Sequence, residues 1–289
     1  MTIVIINAIA LNMTRVLRVW CYMKYPNFNE EKKLWKKGYK CVVGLDEAGR
    51  GPLAGPVVAT AVMINQKFEY QNSKQIQKTK IKNSKHGEFW KFENSDLDIV
   101  SDFVLRISNF RIRDSKLMSA RQREAVYKKL TICPEIRWGV GIVSEKIIDK
   151  INILEATKLA MNRALDNLIE RVSRHNLRYR VNYDDGYGCF LLIDGNFRLD
   201  LSPAASAKGF SGPKQKSIIK GDQKVFSISA ASIIAKVTRD KIMQKYHKKY
   251  PQYGFNEHKG YGTKAHFANL EKFGPCKIHR KTFRPVSKH

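Results

Sequence analysis

The apolar run Cys41–Leu45 ends in two adjacent carboxylates, Asp46 and Glu47, and this junction constrains the fold more than any other stretch. A short apolar run containing β-branched residues predicts a buried strand, here one that delivers both acids to its end. The turn that follows, at 49–55, has three glycines and one arginine. Glycine lets backbone N–H groups approach a ligand closely, so acids beside such a turn suit a divalent cation and a phosphate together. A solvated surface turn is the alternative for this stretch taken alone.

The same pattern occurs again further along the chain. The apolar run Cys189–Ile193 ends in Asp194 and a glycine, and a continuous apolar run is typical of a central strand covered on both faces. The segment 227–250 predicts a helix with an apolar face and a polar face. The polar face carries, at steps of three, four and four, Ser229, Ser232, Lys236 and Asp240. Taken alone, this face is equally well explained as a solvated surface with a Lys236–Asp240 ion pair.

We expect four carboxylates, those of Asp46, Glu47, Asp194 and Asp240, to converge on one pocket. Carboxylates that share one pocket raise one another's pKa above the usual value of about 4, so the pocket requires cations. Oxygen-only ligands select the hard cations Mg²⁺ or Mn²⁺. Two such ions, about 3.5–4 Å apart, suit an in-line displacement at phosphorus and need no serine or cysteine nucleophile.

The remaining patterns predict an α/β arrangement. The strand that ends in Asp46 is predicted at 40–46. Three further strands are predicted at 56–64, 137–143 and 217–220, and further helices at 118–130 and 151–172. The second of these helices has one apolar stripe, expected to be core, formed by Leu154, Met161, Leu165, Leu168 and Val172.

The charge of the chain narrows its partners. It has 53 Lys and Arg against 26 Asp and Glu, which gives a formal charge of +27 over 289 residues. Such an excess favours a polyanion, nucleic acid first and an acidic membrane surface second. No stretch approaches the length of a membrane span, and the apolar residues 1–11 lack the preceding basic region of a signal peptide. The five cysteines are widely spaced without a Cys-x-x-Cys pair. We therefore expect neither a zinc site nor a disulfide framework, and we expect a reducing compartment.

Two polar stretches interrupt the pattern. A lysine-rich segment at about 66–111 is predicted to be a surface insertion, which either has no function or acts as a basic arm that touches phosphate. A polar loop at 174–188 contains Asp184 and Asp185, for which a solvated turn is favoured over a metal site.

At the four acids, the glycine turn and the segments given below, the chain resembles the ribonuclease HII family, the type 2 ribonucleases H. The resemblance covers about residues 39–289, and its segments follow the order of the family. They are 44–57 (GLDEAGRGPLAGPV), 114–116 (DSK), 153–157 (ILEAT), 192–196 (LIDGN), 220–222 (KGD), 229–240 (SAASIIAKVTRD) and 253–263, with YGF at its start and HKGYGT at its end.

The resemblance implies an RNase H-like fold, a mixed five-stranded sheet flanked by helices with a C-terminal helical segment. It implies a domain organisation of an N-terminal extension at 1–38, a catalytic domain at 39–250 and a C-terminal substrate-binding segment at 251–289. It also implies that the four acids bind the catalytic metal, two Mn²⁺ or Mg²⁺ ions during the reaction. The sister family, ribonuclease HIII, typically has threonine where this chain has Arg50 and carries a large N-terminal platform, so Arg50 favours HII.

Substrate contacts follow from the same resemblance. The turn Gly49-Arg50-Gly51 would hold the backbone at the cleaved ribonucleotide and sense its 2′-hydroxyl, the group that distinguishes RNA from DNA. Tyr261 would stack on the sugar of the next deoxynucleotide; outside the family context a partly buried core tyrosine is favoured. Lys116 and Lys236 are candidate phosphate contacts.

The expected activity is endonucleolytic cleavage of the RNA strand of RNA–DNA hybrids and cleavage at ribonucleotides embedded in duplex DNA, leaving 5′-phosphate and 3′-hydroxyl ends. We expect a cytoplasmic monomer with no membrane partner. One rival is a non-catalytic hybrid-binding protein, supported only by the charge. The other is a different two-metal phosphotransferase on the same fold, against which the Gly49-Arg50-Gly51 turn and Tyr261 argue.

Overall fold

The computed structural model of the chain describes residues 25–65, 112, 115–175, 188–200 and 213–288. The predicted insertion at 66–111, most of the loop at 174–188 and Asp114 lie outside the described residues. No helix among the described residues has both the length and the apolar character that crossing a membrane requires.

Five strands form one mixed sheet, as the resemblance implies. They are β1 (Cys41–Ala48), β2 (Val57–Asn65), β3 (Ile136–Val143), β4 (Cys189–Asp194) and β5 (Lys214–Ile218). Their order across the sheet is β3-β2-β1-β4-β5. β2 runs antiparallel to β1 and β3, while β1, β4 and β5 are parallel. The two strands predicted to end in acids, β1 and β4, are therefore neighbours at the centre of the sheet.

Helices cover both faces of the sheet. They are α1 (Asn29–Lys36), α2 (Ala120–Ile132), α3 (Glu145–His175), α4 (Phe226–Lys249), α5 (Phe255–His258) and α6 (Lys264–Phe273). Helices α1, α2 and α4 pack with Val42 of β1 in one core layer, and α3 packs with Val43 and Leu45 in the other. Because alternate residues of β1 enter opposite cores, the strand is apolar at consecutive positions.

Helix α3 differs from its prediction. It begins at Glu145 and is interrupted at Asn152, whose φ of 66° lies outside the helical region. The Asn152 side-chain oxygen accepts the N–H groups of Leu154 and Glu155 at 2.9 and 3.1 Å, so it caps the second part of the helix. As a consequence the predicted core position Leu154 is 38% exposed, whereas the rest of the stripe from Met161 to Leu168 is buried.

Strand β5 is also displaced, by about three residues, from the predicted 217–220. It is a polar edge strand, and its Gln215 exchanges hydrogen bonds of 2.9 Å with the backbone of Leu199. Such a strand lacks the apolar run that marked the others. Beyond this strand, the Ile219 side chain is exposed, and the backbone of Lys220 adopts the left-handed helical conformation.

Helix α1, inside the predicted extension, packs into the first core through Leu34 and Trp35. Its Glu31 is fully buried and accepts the Ser227 backbone N–H at 2.8 Å. Residues 27–36 are thus built into the fold, and the domain boundaries themselves stay a prediction.

Cys41 and Cys189 face each other in the register of β1 and β4 and form a disulfide, with Cα atoms 4.8 Å apart. The wide cysteine spacing predicts no disulfide framework. The spacing of 148 residues concealed this one pair, which the sheet register brings together.

Candidate active site

Three of the predicted acids meet at the ends of β1 and β4. Leu45 lies opposite Ile193 in the parallel register, so the next residues, Asp46 and Asp194, emerge side by side. Asp46 is 4% exposed, and its carboxylate accepts the backbone N–H of Glu47 at 2.7 Å. The strand register therefore creates the acidic site directly.

Burial and repulsion act together on these carboxyl groups. Burial, followed by the charges of Glu47 and Asp194, raises the pKa of Asp46 well above its usual value, although the Ser232 hydroxyl donates to it and opposes the rise. Burial raises the pKa of Glu47 to about 7, against the lowering effects of Arg50 and Lys116. Such mutually raised values mark a site that lacks enough positive charge by itself.

The protein supplies two basic side chains at this edge. Arg50 Nη1 lies 3.3 Å from Glu47 Oε1. Lys116 is largely exposed and lies 3.7 Å from Asp222, in the short 3₁₀ turn that precedes α4. Both cations are exposed enough to turn toward an incoming phosphate.

Asp194 is fixed by the backbone of that turn, because its Oδ1 accepts the Gly221 N–H at 2.6 Å. A Cβ atom on Gly221 would lie 2.6 Å from Ile228 Cδ1 and 3.3 Å from Asp194 Oδ1. A side chain at this position would require Ile228 and Asp194 to shift, which gives the predicted segment 220–222 a physical role.

Helix α4 reaches the site because its N-terminus rests on β1. A Cβ atom on Gly44 would lie 2.3 Å from the carbonyl carbon of Ser227, so glycine at this strand position allows the contact. Ser232 then lies beside Asp46 and is hydrogen-bonded to Ser115, with 3.0 Å between their hydroxyl oxygens.

Lys236 and Asp240 also lie on α4 and form an ion pair, with Nζ 2.8 Å from Oδ1. This is the pair that the sequence analysis left open. The structure brings Asp46, Glu47 and Asp194 into electrostatic contact. Asp240 lies on the same face of α4 as Ser232, about two turns further along the helix. The pair with Lys236 occupies one oxygen of Asp240.

The glycine turn and Tyr261 are neighbours. Gly49 has a φ of 100°, and a Cβ atom there would lie 2.2 Å from Arg239 Nε. A Cβ atom on Gly51 would lie 3.8 Å from the Tyr261 ring, which is 43% exposed and has Lys236 Nζ 5.9 Å from its centroid. The ring is available for stacking and is not a core tyrosine.

The donor atoms fit a hard divalent cation. All the acidic donors are oxygen, and Glu47 Oε2 is buried with no hydrogen-bond partner among the described residues. The described part of the chain contains no group of three or more His, Cys, Asp or Glu side chains already arranged around an ion position.

Sequence reasoning missed two site residues, the fully buried Arg239 and Arg280. Arg239 directly precedes Asp240 on α4, about 100° away around the helix axis, and Arg280 lies in the basic C-terminal stretch. Charge alone made both look like surface residues, since arginine is seldom fully buried without a partner.

Comparison with known proteins agrees with this geometry. The sequence model of the ribonuclease HII family matches residues 43–87 and 99–286. Ribonuclease HII of Chlamydia muridarum is 40% identical over 256 residues, covering 89% of this chain and 88% of the relative. The enzyme of the same name from Acholeplasma laidlawii is 38% identical, covering 92% and 98%. The crystal structure of ribonuclease H2 from Pyrococcus horikoshii superposes with a TM-score of 0.53 at 25% identity, covering 86% and 96%.

A mixed five-stranded sheet that gathers carboxylates at the ends of two central strands, together with these similarities, defines an endoribonuclease of the ribonuclease H class. Within that class the chain belongs to the ribonuclease HII family.

Proposed function

We propose that this endonuclease cuts the RNA strand of RNA–DNA hybrids and also cuts at single ribonucleotides embedded in duplex DNA, leaving 5′-phosphate and 3′-hydroxyl ends. The observation that carries the proposal is the position of the glycine turn. Its Arg50 lies 3.3 Å from the buried Glu47, and its Gly51 approaches the exposed Tyr261 ring.

Four acids would hold the metal in this proposal, namely Asp46, Glu47, Asp194 and Asp240. Bound Mg²⁺ or Mn²⁺, two ions during the reaction, supplies Lewis acidity that activates water and stabilises the leaving oxygen. Asp46 and Glu47 are held rigidly by β1, and Asp194 is held by the Gly221 N–H. Lys236 pairs with Oδ1 of Asp240, so the other carboxylate oxygen is the one that would contribute to the metal site.

The substrate would be positioned by the chain's other groups. The backbone of Gly49, Arg50 and Gly51 reaches the scissile ribonucleotide and its 2′-hydroxyl, which acts as both donor and acceptor. Tyr261 stacks on the following sugar, and Lys116 and Lys236 contact phosphates. The charge of +27 provides the general attraction to nucleic acid. We further propose a cytoplasmic monomer.

Cleavage of three duplexes tests the function. One carries a single ribonucleotide, one is a long RNA–DNA hybrid and one is all DNA, each assayed in Mg²⁺ and in Mn²⁺. We expect cleavage of the first two only. Products that resist ligation until a 5′-phosphate is added, or cleavage of all-DNA duplex at a similar rate, would refute the proposal.

A further inference from the structure

Two fully buried arginines, Arg239 of α4 and Arg280 of the C-terminal stretch, lie directly behind the glycine turn. Among the described residues neither guanidinium has a carboxylate within ion-pair distance. Both instead donate to backbone carbonyls. Burying two guanidinium groups without acids is costly, so their hydrogen bonds to this particular loop call for an explanation.

Arg280 holds the turn itself. It donates to the carbonyl oxygens of Gly49, Arg50 and Gly55 at 2.5, 2.9 and 3.0 Å. Three donors in one rigid fork fix three carbonyls relative to one another. The carbonyls on both sides of the Arg50 side chain are thereby held from the protein interior.

Arg239 joins two separate loops. It donates to Ala54 and Pro56 at 3.1 and 3.0 Å, at the end of the glycine turn (49–55) and directly after it. It also donates to Lys259 at 3.0 Å, two residues before Tyr261. The Leu53 N–H also donates to Gly260 at 2.8 Å. The glycine turn and the Tyr261 loop are consequently tied together by one guanidinium and one backbone hydrogen bond.

We propose that Arg239 and Arg280 are positioning residues for substrate recognition: Arg280 sets the shape of the glycine turn, and Arg239 sets the distance between that turn and Tyr261. This inference rests on the proposed function. An isolated ribonucleotide offers a single register, in which the turn must meet the 2′-hydroxyl while the ring meets the next sugar. A long hybrid offers a ribose at every step, so it depends less on that distance.

Their charge supports the same role. Burial, followed by the neighbouring Arg239, lowers the pKa of Arg280 to about 9, which leaves the Arg280 guanidinium charged at neutral pH. Burial also lowers the pKa of Arg239, but a guanidinium group stays protonated in proteins. Two fixed positive charges behind the loop favour a phosphate in front of it, in a medium where screening by water is weak. Lysine at either position has one ammonium group in place of the planar fork, so it cannot hold three separate carbonyls as arginine does.

The test compares Arg239→Lys and Arg280→Lys with Arg163→Lys. Arg163 also holds a backbone carbonyl, that of Ile142 on the edge strand β3, at 2.7 Å. We expect Arg239→Lys to lower kcat/KM on the single-ribonucleotide duplex at least tenfold more than on the long hybrid. Arg280→Lys is expected to lower both in similar proportion, and Arg163→Lys to change neither.

Hydrogen exchange and the melting temperature distinguish positioning from general stability. We expect faster exchange at 49–56 and 259–261 in the Arg239 variant, with the rest of the protein unchanged. Equal losses on both substrates in the Arg239→Lys variant, or unchanged exchange in these two loops, would overturn the proposal. If wild-type protein cleaves neither substrate, the proposed function fails, while the exchange measurement still tests whether Arg239 holds the two loops together.

Gly260→Ala provides a second route if the Arg239 variant does not fold. A Cβ atom on Gly260 would lie 2.6 Å from the carbonyl oxygen of Ala54, so alanine separates the two loops while both arginines remain. The same selective loss on the single-ribonucleotide duplex is expected. Unchanged selectivity in this variant would contradict the role assigned to Arg239.

Discussion

At the residue scale, the acids show how far a single sequence can be interpreted. Asp46 and Asp194 each follow an apolar run, and the parallel register of β1 and β4 makes them neighbours. Both positions are predictable because strand ends are local features. Arg280 is not predictable in this way, because its partners, Gly49 to Gly55, lie more than 220 residues away in sequence.

Asp46→Asn is expected to abolish cleavage, by more than about a hundredfold, while hybrid binding survives. Asparagine keeps the volume but removes the charge and one metal ligand. Because burial raises the pKa of Asp46, the ionised form is costly in the folded state, so the melting temperature should be unchanged or higher at neutral pH. Cleavage rates and a filter-binding constant measure the two effects. Wild-type turnover by the folded variant would contradict the metal-ligand assignment.

Tyr261→Ala is expected to lose roughly ten- to hundredfold on the single-ribonucleotide duplex, since stacking of an aromatic ring on a nucleotide contributes about 1–3 kcal/mol. The long hybrid should lose less. Tyr261→Phe keeps the ring and serves as the matched control, with near wild-type rates expected. Both rates and the melting temperature are measured for each variant. Equal loss on the two substrates at an unchanged melting temperature would exclude junction sensing by this residue.

At the element scale, α1 and α4 depend on each other. The N-cap of α4, Val225, has no side chain that can accept a hydrogen bond, and Glu31 of α1 performs that role through the Ser227 N–H. The helical character of α1 could be predicted from its sequence. The contact between α1 and α4 could not be predicted. A lysine-rich helix near the N-terminus gives no local indication that one of its acids accepts a hydrogen bond from a helix 196 residues further on.

Glu31→Gln is expected to stabilise the protein at alkaline pH. Burial raises the pKa of Glu31 to about 7 from the usual 4.5, so the folded protein binds this proton more tightly than the unfolded chain does. The stability that protonated Glu31 provides is complete below about pH 4.5 and is lost as the pH rises to 7. Glutamine avoids that loss, and the free energy of unfolding should increase by up to about 3 kcal/mol at pH 8 and by only a few tenths near pH 4.5.

Urea unfolding at both pH values checks this, with Glu30→Gln as the control. The neighbouring Glu30 forms ion pairs with Lys216 and Lys33, and both lysines lower the pKa of Glu30. Its contribution is present above its unfolded pKa and is lost in acid, so Glu30→Gln should destabilise at pH 8. If both substitutions changed the free energy of unfolding at pH 8 in the same direction, the burial of Glu31 would not be the cause of its effect.

At the scale of the whole molecule, the topology followed from the family resemblance more than from periodicity. Periodicity located β1, β2, β3 and β4 within about two residues but displaced the polar β5. The interruption of α3 at Asn152 and the burial of α1 depend on packing between distant elements, which no local pattern contains.

Deleting residues 66–101, with a short linker, is expected to leave the cleavage rate nearly intact and to weaken binding. These residues lie outside the described part of the chain, but β2 is complete at Asn65 and the buried Ile112 lies beyond the deletion. The segment 74–85 carries five lysines and no acid. If these lysines bind phosphates, the slope of log affinity against log salt should fall by about one for each lysine–phosphate interaction that the deletion removes. Replacing only the five lysines with glutamine keeps the length and should reproduce the lower slope. An unchanged slope in both variants would assign the insertion no part in nucleic-acid binding, and a deletion that fails to fold would assign it to the core.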